Sequence, residues 1–160
     1  DASHGFSIRV GPVNPESRGS ITLRSASPAD PPVIRANYLS AQHDRDVMLA
    51  AIRMMRTVIG QKSLDGHRSR EISPGAEVST DADLLAWLRE NALTTLHPVG
   101  TCKMGNDKAA VVDARLKLHG IEGLRVADAS VMPLITSGNT NAPTIMIAER
   151  AAHFISGTLQ

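Results

Sequence analysis

The longest unbroken apolar run in this chain is six residues, Val47–Ile52. A membrane-spanning helix needs about 20, so none is expected. The chain's order must come from short patterned segments. The start shows no charged, then apolar, then small-residue sequence, so no signal peptide is expected. The chain begins at Asp1 rather than Met, which reads as processing or as a piece of something longer.

Composition narrows the function classes. The 160 residues are 42% hydrophobic, enough for the core of one ordinary domain and too many for a disordered tail. The formal net charge of +1, without basic blocks, argues against nucleic acid or an anionic membrane as the main partner. The four rings are Phe6, Tyr38, Trp87 and Phe154. They are too few for a base-stacking platform or an aromatic cage. One cysteine, Cys102, excludes an intrachain disulfide and a Cys-based zinc site, and fits a reducing compartment.

Patterning predicts a mixed α+β chain. Phe6–Val10 and Ser20–Arg24 alternate apolar and polar with period two, and the turn-rich stretch 11–19 lies between them. They read as an antiparallel pair with a long connection. Ser27–Pro32 holds three prolines and must be looped or extended, and Val33–Tyr38 reads as a further short extended segment. Gln42–Ile59 reads as a helix. One apolar row is Val47, Ala51, Met54 and Val58, a parallel row is Met48, Ile52, Met55 and Ile59, and Gly60 stops it. Its methionines read as packing. Residues 61–79 are polar and loop-like. Thr80, with Asp83 three residues on, caps a second helix that buries Leu84, Leu85, Trp87 and Leu88. Short apolar pieces follow at Val111–Val112, Leu116–Leu118 and Leu124–Ala127. The last helix carries Pro143 in its first turn, Gly157 at its C-cap, and a predicted buried face of Ile145, Ala148, Ala152 and Ile155.

Several motifs fail. The twelve glycines never form Gly-x-Gly, so no dinucleotide fingerprint exists. Gly100 and Gly105 have phosphate-loop spacing, but Asn106-Asp107 follows where Lys-Ser/Thr is required. His43, Asp44 and Asp46 cluster at a helix start, where acidic residues serve the helix dipole; no metal site is expected.

Two segments carry chemistry. In His97-Pro98-Val99-Gly100-Thr101-Cys102-Lys103-Met104-Gly105 a histidine precedes a glycine-flanked extended stretch. The plain reading is a structural histidine; the functional one is a side chain displayed at a strand entrance. In Ser137-Gly138-Asn139-Thr140-Asn141-Ala142-Pro143-Thr144, Asn and Thr read as helix caps. The functional reading is a helix start offering free N–H groups to an electron-rich ligand. Both readings stay open. Between the two segments, Leu124–Ala127 reads as an apolar strand ending in Asp128, Ala129 and Ser130, where small residues let a backbone approach a ligand closely.

The ordered set resembles the C-terminal region of the glucose–methanol–choline family of flavin oxidoreductases, most specifically over residues 96–152. The resemblance implies an α+β fragment. Residues 1–95 would supply short antiparallel strands and helices of the substrate domain. Residues 96–160 would carry the catalytic histidine segment and return to the FAD-binding α/β domain. His97 matches the active-site histidine, accepting or stabilising the substrate hydroxyl proton. Asn141 matches its partner, hydrogen-bonding the alcohol oxygen. Asp128 and Ala129 match residues lying against the ribityl and pyrophosphate part of FAD. Asn141, Ala142 and Thr144 match the helix start facing the flavin's pyrimidine side.

The implied function is oxidation of a small-molecule alcohol to an aldehyde by hydride transfer to flavin. The family's nucleotide-binding fingerprint is missing from this chain. An N-terminal flavin-binding part of the same protein is therefore the expected partner, and the isolated chain is expected to be inactive. Separation from that part would bare apolar faces of the last helix and of Leu124–Ala127, which a homodimer would cover. The expected location is cytoplasmic or peripheral to the inner membrane. The alternative is a non-catalytic binding module that retains the fold.

Overall fold

The computed structural model describes residues 4–157. The fold is mixed α+β, with an antiparallel strand pair and three α-helices. The elements run β1 (Ser20–Thr22), β2 (Val33–Arg35), α1 (Gln42–Ile59), α2 (Asp81–Asn91) and α3 (Asn141–Ser156). Single 3₁₀ turns lie at Lys62–Leu64 and Ala129–Val131. Among the described residues no helix is long and apolar enough to cross a membrane.

The strand pairing differs from the sequence expectation. Ser20 pairs with Arg35, Ile21 with Ile34 and Thr22 with Val33. Phe6–Val10 is irregular, and Phe6 and Ile8 are exposed. Side chains close the β1–β2 loop: Ser25 Oγ donates to Asp30 Oδ2 at 2.6 Å and accepts from the Ser27 N–H at 3.0 Å. That closure brings the segment after Pro32 back onto Ser20–Thr22. Residues 11–19 lead instead to Asp44 of α1.

The chain forms two compact units. One comprises the residues up to Gly19 with Ala36–Leu93; the other comprises Ser20–Arg35 with the residues from Thr94 onward. In the first, α1 and α2 pack through Met48, Leu49, Ile52, Leu84 and Leu88. Leu84 and Leu88 are 0% and 2% exposed, and burying each contributes about 2–3 kcal/mol. The row Met48, Ile52, Met55 and Ile59 faces inward as expected, whereas Met54 and Val58 of the parallel row are exposed. One turn before Met48, Asp44 also faces inward and is 2% exposed. Its Oδ1 and Oδ2 accept the N–H groups of Glu16 and Ser17 at 2.7 and 2.8 Å. The Ser17 hydroxyl in turn accepts the Ala41 N–H at 3.0 Å. Burial raises the Asp44 carboxyl, but the Ser17 side chain and the two N–H groups outweigh it and hold the carboxyl below its ordinary range. Asp44 thus anchors the incoming segment to α1. Downstream, Arg56 Nη2 bonds Glu71 and the carbonyls of Gly75 and Val78 at 2.9 to 3.0 Å, tying the 61–79 loop to α1.

The second unit has its own core: Val112, Leu116, Val131, Met132, Ile147 and Ala151. The apolar pieces at 111–126 meet only as isolated bridges, Met104 with Val112, Val112 with Leu118, and Lys117 with Arg125. The strand expected at Leu124–Ala127 is therefore one such bridge followed by the 3₁₀ turn. The inward face of α3 is also shifted. Ile147 and Ala151 are buried and Phe154 half-buried, while Ile145 and Ile155 are 55% and 70% exposed, and Ala148 and Ala152 are exposed too. Gly157 adopts φ 73°, the left-handed cap that ends the helix.

Candidate active site

The His97 segment is held by main-chain bonds. The Cys102 N–H donates to the Ser130 carbonyl at 3.0 Å and the Met104 N–H to that of Val131 at 2.8 Å. The Gly105 N–H donates to the Val112 carbonyl at 3.0 Å, and the Val111 N–H to that of Lys103 at 2.9 Å. The chain enters this segment through Leu96, whose φ of 59° is left-handed. It turns again at Gly100, φ 88°, a value glycine takes without strain. Pro98 keeps His97 itself out of helical geometry. The backbone of His97 is therefore set from both sides.

The ring is set by a different element. His97 Nδ1 lies 3.0 Å from the Thr140 hydroxyl, the residue immediately before α3. Thr140 is 7% exposed and His97 is half-buried. Among the described residues, His97 Nε2 has no hydrogen-bond partner. Thr140 is well fixed: its carbonyl accepts the Thr144 N–H at 3.1 Å and the Thr144 hydroxyl at 2.6 Å. The Thr140 backbone is helical, φ −85° and ψ −2°, and its side chain makes no capping bond to α3. The expected cap is thus absent at Thr140, because its hydroxyl is turned to the histidine.

The helix start remains uncapped. The N–H groups of Asn141 and Ala142 have no partner among the described residues, Pro143 brings no N–H, and the first turn holds no acidic residue. Asn141 and Ala142 are exposed, and Thr144 is half-buried. Free donors and an uncompensated helix dipole, flanked by small side chains, suit an electron-rich ligand. Asp128 caps the Ala129–Val131 turn, its Oδ1 accepting the Ser130 N–H at 2.7 Å. Its carboxylate has a structural task, and the carbonyls of Asp128 and Ala129 accept the Val131 and Met132 N–H groups, leaving the main-chain N–H groups of Asp128 and half-buried Ala129 for any ligand.

The structure therefore joins His97 to the residue preceding Asn141, and ties the Asp128–Val131 turn to the His97 segment through main-chain bonds. Sequence reading missed Thr140 as a site residue. It was legible only as a cap, since cap and histidine partner use the same hydroxyl. Beyond the histidine segment, Asp107 is held below the usual carboxylate range by Lys103 and the Ala109 N–H. Burial raises the Asp113 carboxyl, and the N–H groups of Lys117 and Arg115 more than offset it. Both carboxylates brace loops.

The family model described as GMC oxidoreductase matches residues 15–148. The chain belongs to the GMC oxidoreductase family. A curated family member from Brucella ovis, named oxygen-dependent choline dehydrogenase, is 48% identical over 157 residues. That match covers 97% of this chain and 29% of the relative. The protein of the same name from Proteus mirabilis is 51% identical over 96% of this chain and 28% of its own. The crystal structure of pyridoxine 4-oxidase from Mesorbium loti superposes with a TM-score of 0.85 at 35% identity. It covers 92% of this chain and 29% of that one. The chain thus spans under a third of the length of these GMC relatives.

Proposed function

We propose that this chain is the catalytic-residue portion of an FAD-dependent enzyme that oxidises a small alcohol to an aldehyde. The supporting observation is the His97–Thr140 hydrogen bond, which joins the histidine segment to the start of α3 in a GMC family member. Bound FAD supplies the two-electron acceptor. His97 presents Nε2 to the substrate hydroxyl and takes or holds its proton as the C–H bond breaks. The Asn141 amide hydrogen-bonds the alcohol oxygen and orients it. The N–H of Ala142 and the first turn through Thr144 would hold the electron-rich side of the cofactor, and Asp128 and Ala129 would hold it through main chain.

In this reading, residues 1–95 belong to the substrate side and 96–160 to the catalytic segment and flavin-domain return. An N-terminal flavin-binding part completes the site. The 160-residue chain alone holds no flavin and does not turn over. It pairs with itself through the exposed apolar residues of α3. The setting is the cytoplasm or the inner membrane periphery. The names of the relatives make choline the first alcohol to test.

The test uses anaerobic stopped-flow reduction of the flavin-loaded full-length protein. His97→Ala should slow reduction by about 10²–10⁴-fold, and Asn141→Ala by about 10²–10³-fold. Flavin content should be unchanged in both. Flavin loss without a kinetic defect in the loaded fraction would assign both residues structural roles.

A further inference from the structure

We infer that Thr140 is a positioning residue that sets the tautomer of His97; the inference rests on the reading of His97 as the proton acceptor. Three observations converge. The hydroxyl lies 3.0 Å from Nδ1. It is 7% exposed and makes no bond to the helix it precedes. Its main chain is locked by two bonds from Thr144. A buried hydroxyl at an N-cap normally satisfies the N–H of the second or third helical residue. Here Pro143 removes one of those donors, and the helical backbone of Thr140 turns the side chain away from the other.

The ring nitrogen that carries the proton is decided by the bond the other nitrogen makes. Uptake of a proton at Nε2 requires Nδ1–H to donate, and in this inference the Thr140 hydroxyl, 3.0 Å away and able to accept as well as donate, takes the acceptor role. A hydroxyl meets this need without adding charge. When Nε2 is protonated, Nδ1 keeps its hydrogen and its partner, so nothing at Thr140 has to reorganise. The ring stays aimed through the proton transfer. Removing the hydroxyl lets the ring rotate and populate the tautomer with the proton already on Nε2.

The experiment is a double-mutant cycle in the flavin-loaded full-length protein. Flavin reduction by alcohol is measured against pH for the wild type, T140V, T140S, H97A and H97A/T140V. T140V should lower the limiting reduction rate about tenfold, as expected for one lost hydrogen bond at a reacting group. It should also move the acidic limb of the pH profile, with substrate affinity and flavin content unchanged. T140S should restore both rate and profile. On the H97A background T140V should do nothing further. Additive losses in the double variant would overturn the inference, as would a T140V rate loss with an unmoved pH profile. If H97A itself reduces flavin normally, the failure lies in the histidine reading instead. Should T140V lose flavin, T140A takes its place in the same cycle with the same outcomes.

Discussion

Two helices of this chain begin with threonine, and the two threonines do opposite things. Thr80 has extended backbone, and its hydroxyl accepts the Asp83 N–H at 3.2 Å while donating to Asp83 Oδ2 at 2.6 Å. Asp81 and Asp83 add negative charge in the first turn of α2. That start is capped, neutralised and complete. Thr140 has helical backbone, leaves α3 uncapped and turns to His97, and no acid follows it. The same residue type therefore closes one helix and leaves another uncapped. The difference is set by a backbone ψ of 158° at Thr80 against −2° at Thr140.

The sharpest way to break this contrast is to give α3 the start that α2 has. Ala142→Asp places a carboxylate in the first turn of α3. If that turn faces the flavin, its reduction should slow about a hundredfold, because negative charge replaces free donors where charge develops. An unchanged reduction rate at full flavin loading would show that this helix start lies away from the cofactor.

The start of α1 supplies an intermediate case, in which the acidic residue of the first turn serves a neighbouring segment. Asp44→Asn should cost about 2 kcal/mol of stability, the worth of hydrogen bonds to a charged group, as measured by denaturant unfolding at neutral pH. The sign with pH follows from the lowered carboxyl. The stabilisation is present above the unfolded-state value, about 4, and is lost as acidification titrates the folded carboxyl. The wild-type and variant curves should converge in acid.

The smallest effect is expected at the completed helix. Thr80→Ala should lower stability by about 1 kcal/mol and leave the flavin reduction rate of the folded enzyme alone. A kinetic defect there would erase the distinction between the two threonines.

How much of this was legible beforehand depended on whether a segment's pattern had one solution. The body and end of α1 were readable because its apolar spacing runs unbroken from Val47 to Ile59 and Gly60 ends it. The inward face of α3 was not. Ile145, Met146, Ile147, Ala148, Ala151, Ala152 and Ile155 wrap most of its circumference, so periodicity alone ranks no side. Phe6–Val10 shows the complementary failure. Its alternation is real, but a strand needs a partner, and the loop closed by Ser25 and Asp30 delivers Val33–Arg35 instead. At the site, His97 and the Asn141 helix start were recognisable as motifs. Thr140 was not, because its task depends on a ψ angle that no residue pattern announces.

The main-chain bonding of residues 102–105 has a consequence for sequence drift. The atoms that hold the histidine's platform are amide groups, which every residue except proline possesses. Exposed Thr101 is therefore replaceable in kind without loosening the platform. Proline at Cys102 or Met104 would delete a donor to Ser130 or Val131. The segment is robust to chemical variety and brittle to a single amino acid.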